Sequence, residues 1–379
     1  MIINANITHG ESSFSELPSL LKEYGYSNPA FIVDKNLYDN SSYVVSVLEE
    51  VVNKDNLIYY DYPFEPSYQM LDGLVQDINS SKALEKTDVL VGIGGGSAMD
   101  TTKGLAILLK NSGSAIQYRG FPKDLKQPLP VIAVPSTTGT GSEVVFNASF
   151  IDEESKVKMG INYELNYPIL TILDPLIPST APPHVLASSG CDALVHTLES
   201  FMSTESNEHV HFFSNKAYRL IVSNMIPLLK GEGDLNNWMN MQWASVYSMF
   251  ALSNSTSGPT GALSYYLGTN FKVNHGVAGG VFIGEVVKYN HENGYYGLSK
   301  LYSQNDKHLL TDQEKSANII KQIYEILNLA NIPEGLGSFG VSSDDLKGFS
   351  EFAKQAGEAF GFNPVKIDPN NIPGTLINI

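Results

Sequence analysis

The sequence predicts an α/β N-terminal domain built on a parallel sheet, followed by an all-α C-terminal domain. In the first half, short β-rich segments alternate with helical patterns, an order typical of a parallel sheet covered by helices. After the proline-containing segment 175–183 the β-rich character ends and helical patterns follow one another. Because 379 residues exceed what one hydrophobic core usually serves, we place two domains at residues 1–180 and 181–379.

The elements of the first half follow from local composition. Strands are expected where valine, isoleucine and leucine cluster, at residues 30–33, 57–60, 89–93, 131–134 and 170–173. Helices are expected between them, at residues 43–52, 68–79 and 98–110. The pattern alone leaves a mixed α+β arrangement open as the alternative.

The second half is expected to contain helices at residues 185–203, 208–229, 237–252 and 313–329. Between the last two lies the glycine- and serine-rich segment 253–268. Structureless connections of this length are uncommon and are usually functional, so we expect a functional loop there.

Composition excludes several classes of partner. The formal net charge of −16 opposes binding to nucleic acid or to an anionic membrane, since both would be repelled. One cysteine, Cys191, rules out a disulfide within the chain. No apolar run is long enough to cross a bilayer, and the first residues lack a secretory pattern. We therefore expect a cytoplasmic protein without nucleic-acid or membrane partners.

The strongest local signal is a glycine-rich turn between a buried strand and a helix. Gly94, Gly95 and Gly96 are followed by Ser97, which we expect to cap the helix. Glycines let the backbone approach a pyrophosphate, and the free N–H groups of a helix start bind anions. The turn departs from the usual Rossmann fingerprint, since no acid follows about twenty residues later. A tight turn without a ligand is the alternative.

Two further features support a dinucleotide site in this Rossmann-like half. Segment 135–144, which contains Thr137 and Thr138, places hydroxyls and glycines after another buried strand. Ligands of open α/β sheets bind at the carboxyl ends of the strands. Asp34 ends the first strand, where a carboxylate can bind a ribose diol and repel a 2′-phosphate, which favours NAD over NADP. Taken by itself, Asp34 is also explained as an ordinary turn residue.

The metal candidates lie in the second half. Asp192 and His196 are four residues apart, so both project from one face of a helix and can share a cation. His275 lies beyond the long loop. The alternative is a helix start with histidines that are structural or exposed.

Taken together, these segments resemble the iron-containing (group III) alcohol dehydrogenase family. The matching residues occur in the family's order and spacing, and they are Gly94–Ser97 with Asp100 and Lys103, Thr137–Glu143, Leu173–Pro175, Asp192–His196, Leu267 with Gly268, and His275 with Gly276. The resemblance implies a dehydroquinate-synthase-like fold, a homodimer, and hydride transfer between a small-molecule alcohol and NAD(P) with one divalent metal, iron or zinc.

The resemblance also implies roles for individual residues. Asp34 would contact the adenosine ribose, and Lys158 would lie near a cofactor ribose. The pyrophosphate would be held by the glycine turn, which comprises Gly94, Gly95, Gly96 and Ser97. Thr137 and Thr138 would line the cofactor further in. The metal would be bound by Asp192, His196 and His275.

The chain departs from the family pattern at two positions. Where the family usually has two histidines four residues apart, this chain has Gly261 and Tyr265. It therefore supplies at most three metal ligands from this set, which is normal for a catalytic zinc site with an open position. Tyr265 is a candidate proton relay in place of the missing histidine, and a packing aromatic is the alternative.

The substrate is the least determined part of the sequence. The hydroxyl-rich segment 254–261 suits a polyhydroxylated substrate, and Arg119, Lys123 and Lys158 could bind a carboxylate. These features are compatible with the family's 3-deoxy-manno-octulosonate 8-oxidase branch, which acts on a sugar acid. Two other functions stay open. One is a lyase or cyclase resembling dehydroquinate synthase, and the other is a metal-free NAD-binding protein without catalysis.

Overall fold

The computed structural model describes residues 2–52, 55–62, 64–81, 84–302, 310–372, 374 and 376–377. It divides into two compact units. One comprises Ile3–Pro182, and the other comprises Pro183–Ile379 with Met1–Ile2.

The first unit is built on a six-stranded parallel sheet. The described residues of this unit form the strands β1 Ile7–His9, β2 Pro29–Asp34, β3 Leu57–Tyr60, β4 Val89–Gly94, β5 Val131–Pro135, β6 Asn147–Asp152, β7 Val157–Asn162 and β8 Leu170–Leu173. The main sheet has the order β1-β8-β5-β4-β2-β3, with every neighbouring pair parallel. Strands β6 and β7 form a separate antiparallel pair.

Helices cover both faces of this sheet. They are α1 Leu17–Glu23, α2 Lys35–Asn40, α3 Ser42–Leu48, α4 Tyr68–Ser81 and α5 Gly96–Leu108. Successive side chains of a strand point to opposite faces. Phe31 and Val33 accordingly join one buried cluster, whereas Ile32 joins the other. The predicted parallel α/β half is confirmed, and the mixed α+β alternative does not describe the main sheet.

The regular elements in the described residues of the second unit are all helices. Its helices are α6 Pro183–Met202, α7 Glu208–Leu229, α8 Leu235–Leu252, α9 Pro259–Phe271, α10 His275–Glu292, α11 Asp312–Leu329, α12 Leu346–Gln355 and α13 Gly357–Gly361. They share one buried apolar cluster, to which α6, α10 and α11 contribute the largest numbers of buried side chains among the helices. The predicted all-α half is confirmed. Among the residues described, no helix has the length and apolar character needed to span a bilayer.

Several local predictions were wrong. Segment 253–268 is not a long loop, because α9 begins at Pro259, and proline is favourable in the first turn of a helix. Ser97 does not cap α5, because Gly95 occupies the cap position and the helix begins at Gly96. The helix predicted at 43–52 ends at Leu48. Strand β1 and the paired strands β6 and β7 were not predicted, so the strand that Asp34 ends is the second of the sheet in chain order and not the first.

Candidate functional site

Three neighbouring strands of the first unit end at the same edge of the sheet. The parallel register pairs Val33 with Ile93, and Gly94 with Pro135, so β2, β4 and β5 finish side by side. Asp34, the glycine turn and the Thr137 segment therefore lie together at the carboxyl edge, where ligands of parallel sheets bind.

The glycine turn is in direct contact with segment 135–144, which is called the threonine segment below. Gly94 has φ +155°, and an added Cβ would lie 2.7 Å from Cβ of Ala98 and 2.9 Å from Cβ of Asp34. A Cβ at Gly96 would lie 2.6 Å from Cγ2 of Thr140. A side chain at Gly96 would push the two loops apart, whereas one at Gly94 would collide with α5 and with the end of β2. Glycine at 96 is thus required for close approach of the two loops, and glycine at 94 for the turn itself.

The first turn of α5 offers hydrogen-bond donors at this edge. Its cap residue, Gly95, is extended, and no side chain within the described part of the chain caps the helix. The first N–H groups of a helix lack partners within the helix and favour an anion. The turn therefore has the donors and the backbone shape that a pyrophosphate needs.

Asp34 has a structural role at the end of β2. Its carboxylate caps α2 by accepting the Leu37 N–H at 3.0 Å. Burial raises the pKa of the Asp34 carboxyl, and the nearby carboxylate of Asp61 raises it further. Thr137 is half-buried, while Thr138 is fully buried. Contacts of these three residues with a cofactor stay predictions.

Two of the cations considered for a substrate carboxylate are already paired. Lys158 Nζ lies 2.9 Å from Oε1 of Glu65, and Arg119 Nη1 lies 3.9 Å from Oδ2 of Asp152. Because each cation faces a carboxylate of the chain, the two residues do not support binding of a substrate carboxylate. The role of Lys158 near the cofactor ribose stays a prediction.

Lys103 is a buried residue whose role the sequence did not reveal. Its side chain is fully buried, and its ammonium group lies within hydrogen-bond distance of four oxygens: the carbonyl and Oγ of Ser142 at 2.9 and 2.6 Å, the Val145 carbonyl at 3.3 Å and the Asn147 carbonyl at 2.5 Å. Asp100 lies 3.3 Å away and accepts from Ser142 Oγ at 2.6 Å. Burial lowers the pKa of the Lys103 amine. This network fastens the end of the threonine segment, and the residues that follow it, to α5.

In the second unit, the three predicted ligands converge. Nε2 of His196 lies 3.5 Å from Oδ1 of Asp192, and Nε2 of His275 lies 3.8 Å from the same oxygen. One ligand atom from each residue lies within 4.8 Å of the others. Ligands about 2.1 Å from a tetrahedral ion are roughly 3.4 Å apart, so the cluster is slightly wider than an ideal site. The donor set, one carboxylate and two imidazoles, suits zinc or iron.

Burial also fits a cation in this cluster. The Asp192 side chain is 5% exposed, and a buried carboxylate is costly without a positive partner. Within the described residues the buried Nδ1 of His196 lacks a hydrogen-bond partner. The other ring nitrogen, Nε2, faces the Asp192 carboxylate and makes the main polar contact of this imidazole.

The start of α10 rests on the backbone of α6, and this contact places His275. Asn274 caps α10 by accepting the Gly276 N–H at 3.1 Å, and its side chain also hydrogen bonds to Ser188 Oγ. A Cβ at Gly276 would overlap the backbone carbonyl of Ser188. Glycine at 276 is therefore needed for His275 to reach Asp192.

Gly261 has no side chain that could bind a metal, and its backbone N–H contacts a carboxylate instead. Glu199 of α6 is buried, and it accepts N–H groups of Gly258 at 2.8 Å, Thr260 at 2.6 Å and Gly261 at 3.1 Å. Ser257 Oγ donates to it at 2.9 Å. A Cβ at Gly261 would overlap Ser257 Oγ and lie 3.2 Å from Oε2 of Glu199. A histidine does not fit there without rearrangement.

Tyr265 lies one turn further along α9, beside the metal candidates. Its ring stacks on the imidazole of His275, with centroids 5.0 Å apart and an interplanar angle of 22°. The tyrosine is 36% exposed. The structure thus places Tyr265 against a predicted ligand.

Comparison with known proteins covers both units. The family model described as "Iron-containing alcohol dehydrogenase" matches residues 4–175, and that of "Fe-containing alcohol dehydrogenase family, C-terminal" matches residues 186–376. A 1,3-propanediol dehydrogenase of Klebsiella pneumoniae is 32% identical over 74% of this chain and 73% of its own. A sulfoacetaldehyde reductase of Bilophila wadsworthia is 27% identical over 94% of this chain and 93% of its own. The crystal structure of a 1,3-propanediol oxidoreductase superposes with a TM-score of 0.86 at 25% identity, covering 99% of each chain.

Proposed function

Because the chain belongs to the iron-containing alcohol dehydrogenase family, and is thus an alcohol oxidoreductase that uses NAD(H) and a divalent metal, we propose which residues carry that activity. Asp192, His196 and His275 hold the metal. The carboxyl edge of β2, β4 and β5 holds NAD. The observation that carries the proposal is the convergence of three ligand atoms within 4.8 Å.

When bound, the metal supplies a Lewis acid for the substrate oxygen, and the nicotinamide supplies the hydride acceptor or donor. The residues of the chain create the conditions for this chemistry. Asp192 provides the negative charge that balances the cation, and neutral His196 and His275 provide nitrogen donors. Gly261 has no side chain that could bind the metal, so the chain would contribute three ligands from this set.

We propose short alcohols and diols, with their aldehydes, as the substrate class. The relatives named for 1,3-propanediol and sulfoacetaldehyde support small substrates. Three of the four hydroxyls expected to favour a sugar acid are engaged within the chain: Ser255 Oγ donates to the Ser200 carbonyl at 3.3 Å, Thr256 Oγ1 lies 2.7 Å from Ser203 Oγ, and Ser257 Oγ donates to Glu199 at 2.9 Å. The fourth hydroxyl belongs to Thr260, which is fully buried. A 3-deoxy-manno-octulosonate substrate therefore lacks geometric support and serves as one arm of the substrate test.

The test is a substrate screen with protein loaded with Zn²⁺ or Fe²⁺ in the presence of NAD⁺. Short alcohols, diols and sugar acids are supplied in parallel, and NADH is followed by its absorbance. We expect net NADH from at least one short alcohol or diol. Turnover without net NADH would favour the lyase or cyclase, while absent metal binding and absent activity would favour the non-catalytic NAD-binding protein.

We expect Asp192→Ala to abolish metal retention while leaving NAD affinity unchanged within about twofold. The substitution removes the one anionic ligand, and losing even an outer-shell partner costs 10- to 100-fold in metal affinity, so a loss above roughly 100-fold is expected here. Metal analysis and calorimetric NAD titration measure the two effects. Asp192→Asn, which retains an oxygen donor, is the matched control. An equal loss of NAD binding would contradict the separate assignment of the two sites.

We also propose a cytoplasmic location and a homodimer. The buried, free Cys191 is compatible with a reducing compartment, and NAD-linked metabolism supports the same location. The homodimer rests on the family resemblance alone, and light scattering of the purified protein tests it.

A further inference from the structure

We propose that Tyr265 is a positioning residue that holds the His275 imidazole in the metal site, with Glu199 fixing the helix that carries it. This inference rests on the proposed metal role of His275. It assigns Tyr265 a function other than the proton relay considered from the sequence. Two contacts carry it, the ring stack on His275 and the capping of α9 by Glu199.

The ring stack restricts the rotation of the imidazole. The planes of Tyr265 and His275 differ by 22°, and their centroids are 5.0 Å apart, so the tyrosine covers one face of the histidine. An imidazole that donates its lone pair to a cation gains positive character, and this favours contact with the face of an electron-rich ring. The stack thus becomes more favourable when a metal is bound. It needs the aromatic ring and not the hydroxyl.

Glu199 places the helix that carries Tyr265. Three N–H groups at the start of α9 donate to its carboxylate at 2.6–3.1 Å, where a negative charge also interacts favourably with the helix dipole. Gly261, one of the three donors, precedes Tyr265 by four residues and lies on the same side of α9. The direction of the tyrosine therefore depends on the capping contact.

The same face of α6 carries both the metal ligands and this carboxylate. Glu199 follows His196 by three residues and Asp192 by seven, spacings that share one face of a helix. One rigid helix thus supplies two ligands directly and fixes the third through Glu199, α9 and Tyr265. With Gly261 in place of a fourth ligand, a preoriented His275 compensates for the missing donor.

The decisive experiment compares Tyr265→Phe with Tyr265→Leu by Co²⁺ titration without NAD, following the absorption bands of the bound ion. Tyr265→Phe keeps the stack, so we expect Co²⁺ affinity within about twofold of the original chain and an unchanged spectrum. Tyr265→Leu removes it, so we expect an affinity roughly 2- to 12-fold lower, the range of aromatic pair energies, with altered bands. Phe212→Leu removes an aromatic ring elsewhere in the same unit and is the matched control.

The opposite pattern would overturn the inference. A Tyr265→Phe enzyme that loses kcat while both tyrosine variants bind Co²⁺ normally would identify the hydroxyl as a proton relay. Absence of Co²⁺ binding by the unaltered chain would overturn the proposed metal site itself, and this inference with it. The two failures are therefore distinguishable.

Glu199→Gln tests the second contact. We expect it to lower Co²⁺ affinity to a similar extent as Tyr265→Leu, because the amide presents a donor to N–H groups that need an acceptor. In the double variant Glu199→Gln with Tyr265→Leu, the loss of Co²⁺ affinity should be much smaller than the sum of the two single losses, since both substitutions act through the Tyr265 ring. Fully additive losses would contradict a shared path, and the Tyr265 variants decide the proposal if Glu199→Gln does not fold.

Discussion

Replacing Gly276 with alanine is expected to abolish metal retention although the substitution adds one methyl group. The added Cβ would overlap the backbone carbonyl of Ser188, and a backbone atom cannot turn aside as a flexible side chain can. Relief requires the start of α10 to move away from α6 by about an ångström or more, since carbon–oxygen contacts lie near 3.3–3.6 Å. His275, the preceding residue, must move with it.

A displacement of this size exceeds what a metal site tolerates, because ligand distances are held within about 0.2 Å. We expect metal affinity to fall at least about 100-fold, comparable to the effect of ångström-scale misplacement in catalytic sites. Metal analysis and Co²⁺ titration measure the loss. Gly361→Ala is the control, because a methyl at Gly361 meets nothing within 4 Å. A Gly276→Ala protein that binds metal as tightly as the unaltered chain would show that the α6–α10 contact does not place His275.

The sequence predicted those features that depend on local periodicity. The five strands predicted in the first half all appear in the parallel sheet, and four of them, β2, β4, β5 and β8, are buried apolar runs that are visible without tertiary knowledge. The convergence of Asp192 with His196 follows from a four-residue helical spacing. The approach of His275 to the same oxygen, by contrast, was expected only from the family resemblance.

Features that depend on distant contacts could not be predicted. Helix α9 begins in a segment of serine, threonine and glycine, and its start is stabilised by Glu199, about sixty residues earlier in the chain. Arg119 and Lys158 were read as available cations because their acidic partners are not adjacent in sequence. Lys103 offered one signal, a lysine directly before the apolar run 104–109, and a charged residue that is buried there must find partners.

Lys103→Met is expected to be the most destabilising single substitution in the first unit. The side chain is fully buried, and its ammonium group satisfies the carbonyls of Ser142, Val145 and Asn147 together with the Asp100 carboxylate. Methionine has a similar length but donates no hydrogen bond, so these acceptors would stay buried without a partner. Removing one member of a buried ion pair costs about 3–5 kcal/mol, and we expect a loss of that size in the free energy of unfolding.

The loss should be local, since the network joins α5 to the chain that follows β5. Urea unfolding measures its size, and hydrogen exchange read by mass spectrometry locates it. Amides of residues 136–150 should exchange faster, while those of α6 and α10 should not. Lys110→Met, an exposed lysine just beyond the same helix, is the control and should change stability by less than about 0.5 kcal/mol.

The double variant Asp100→Asn with Lys103→Met separates charge from packing. In the Lys103→Met variant the Asp100 carboxylate loses its ion-pair partner, whereas in the double variant both charges are removed. The loss in the free energy of unfolding should therefore be smaller in the double variant than the sum of the losses in the two single variants. NAD affinity should fall in Lys103→Met, because the threonine segment that touches Gly95 and Gly96 loses its anchor to α5. If stability fell as expected while NAD affinity stayed unchanged, the glycine turn would bind the pyrophosphate without help from the threonine segment, and Thr137 and Thr138 would have to be removed from the proposed cofactor site.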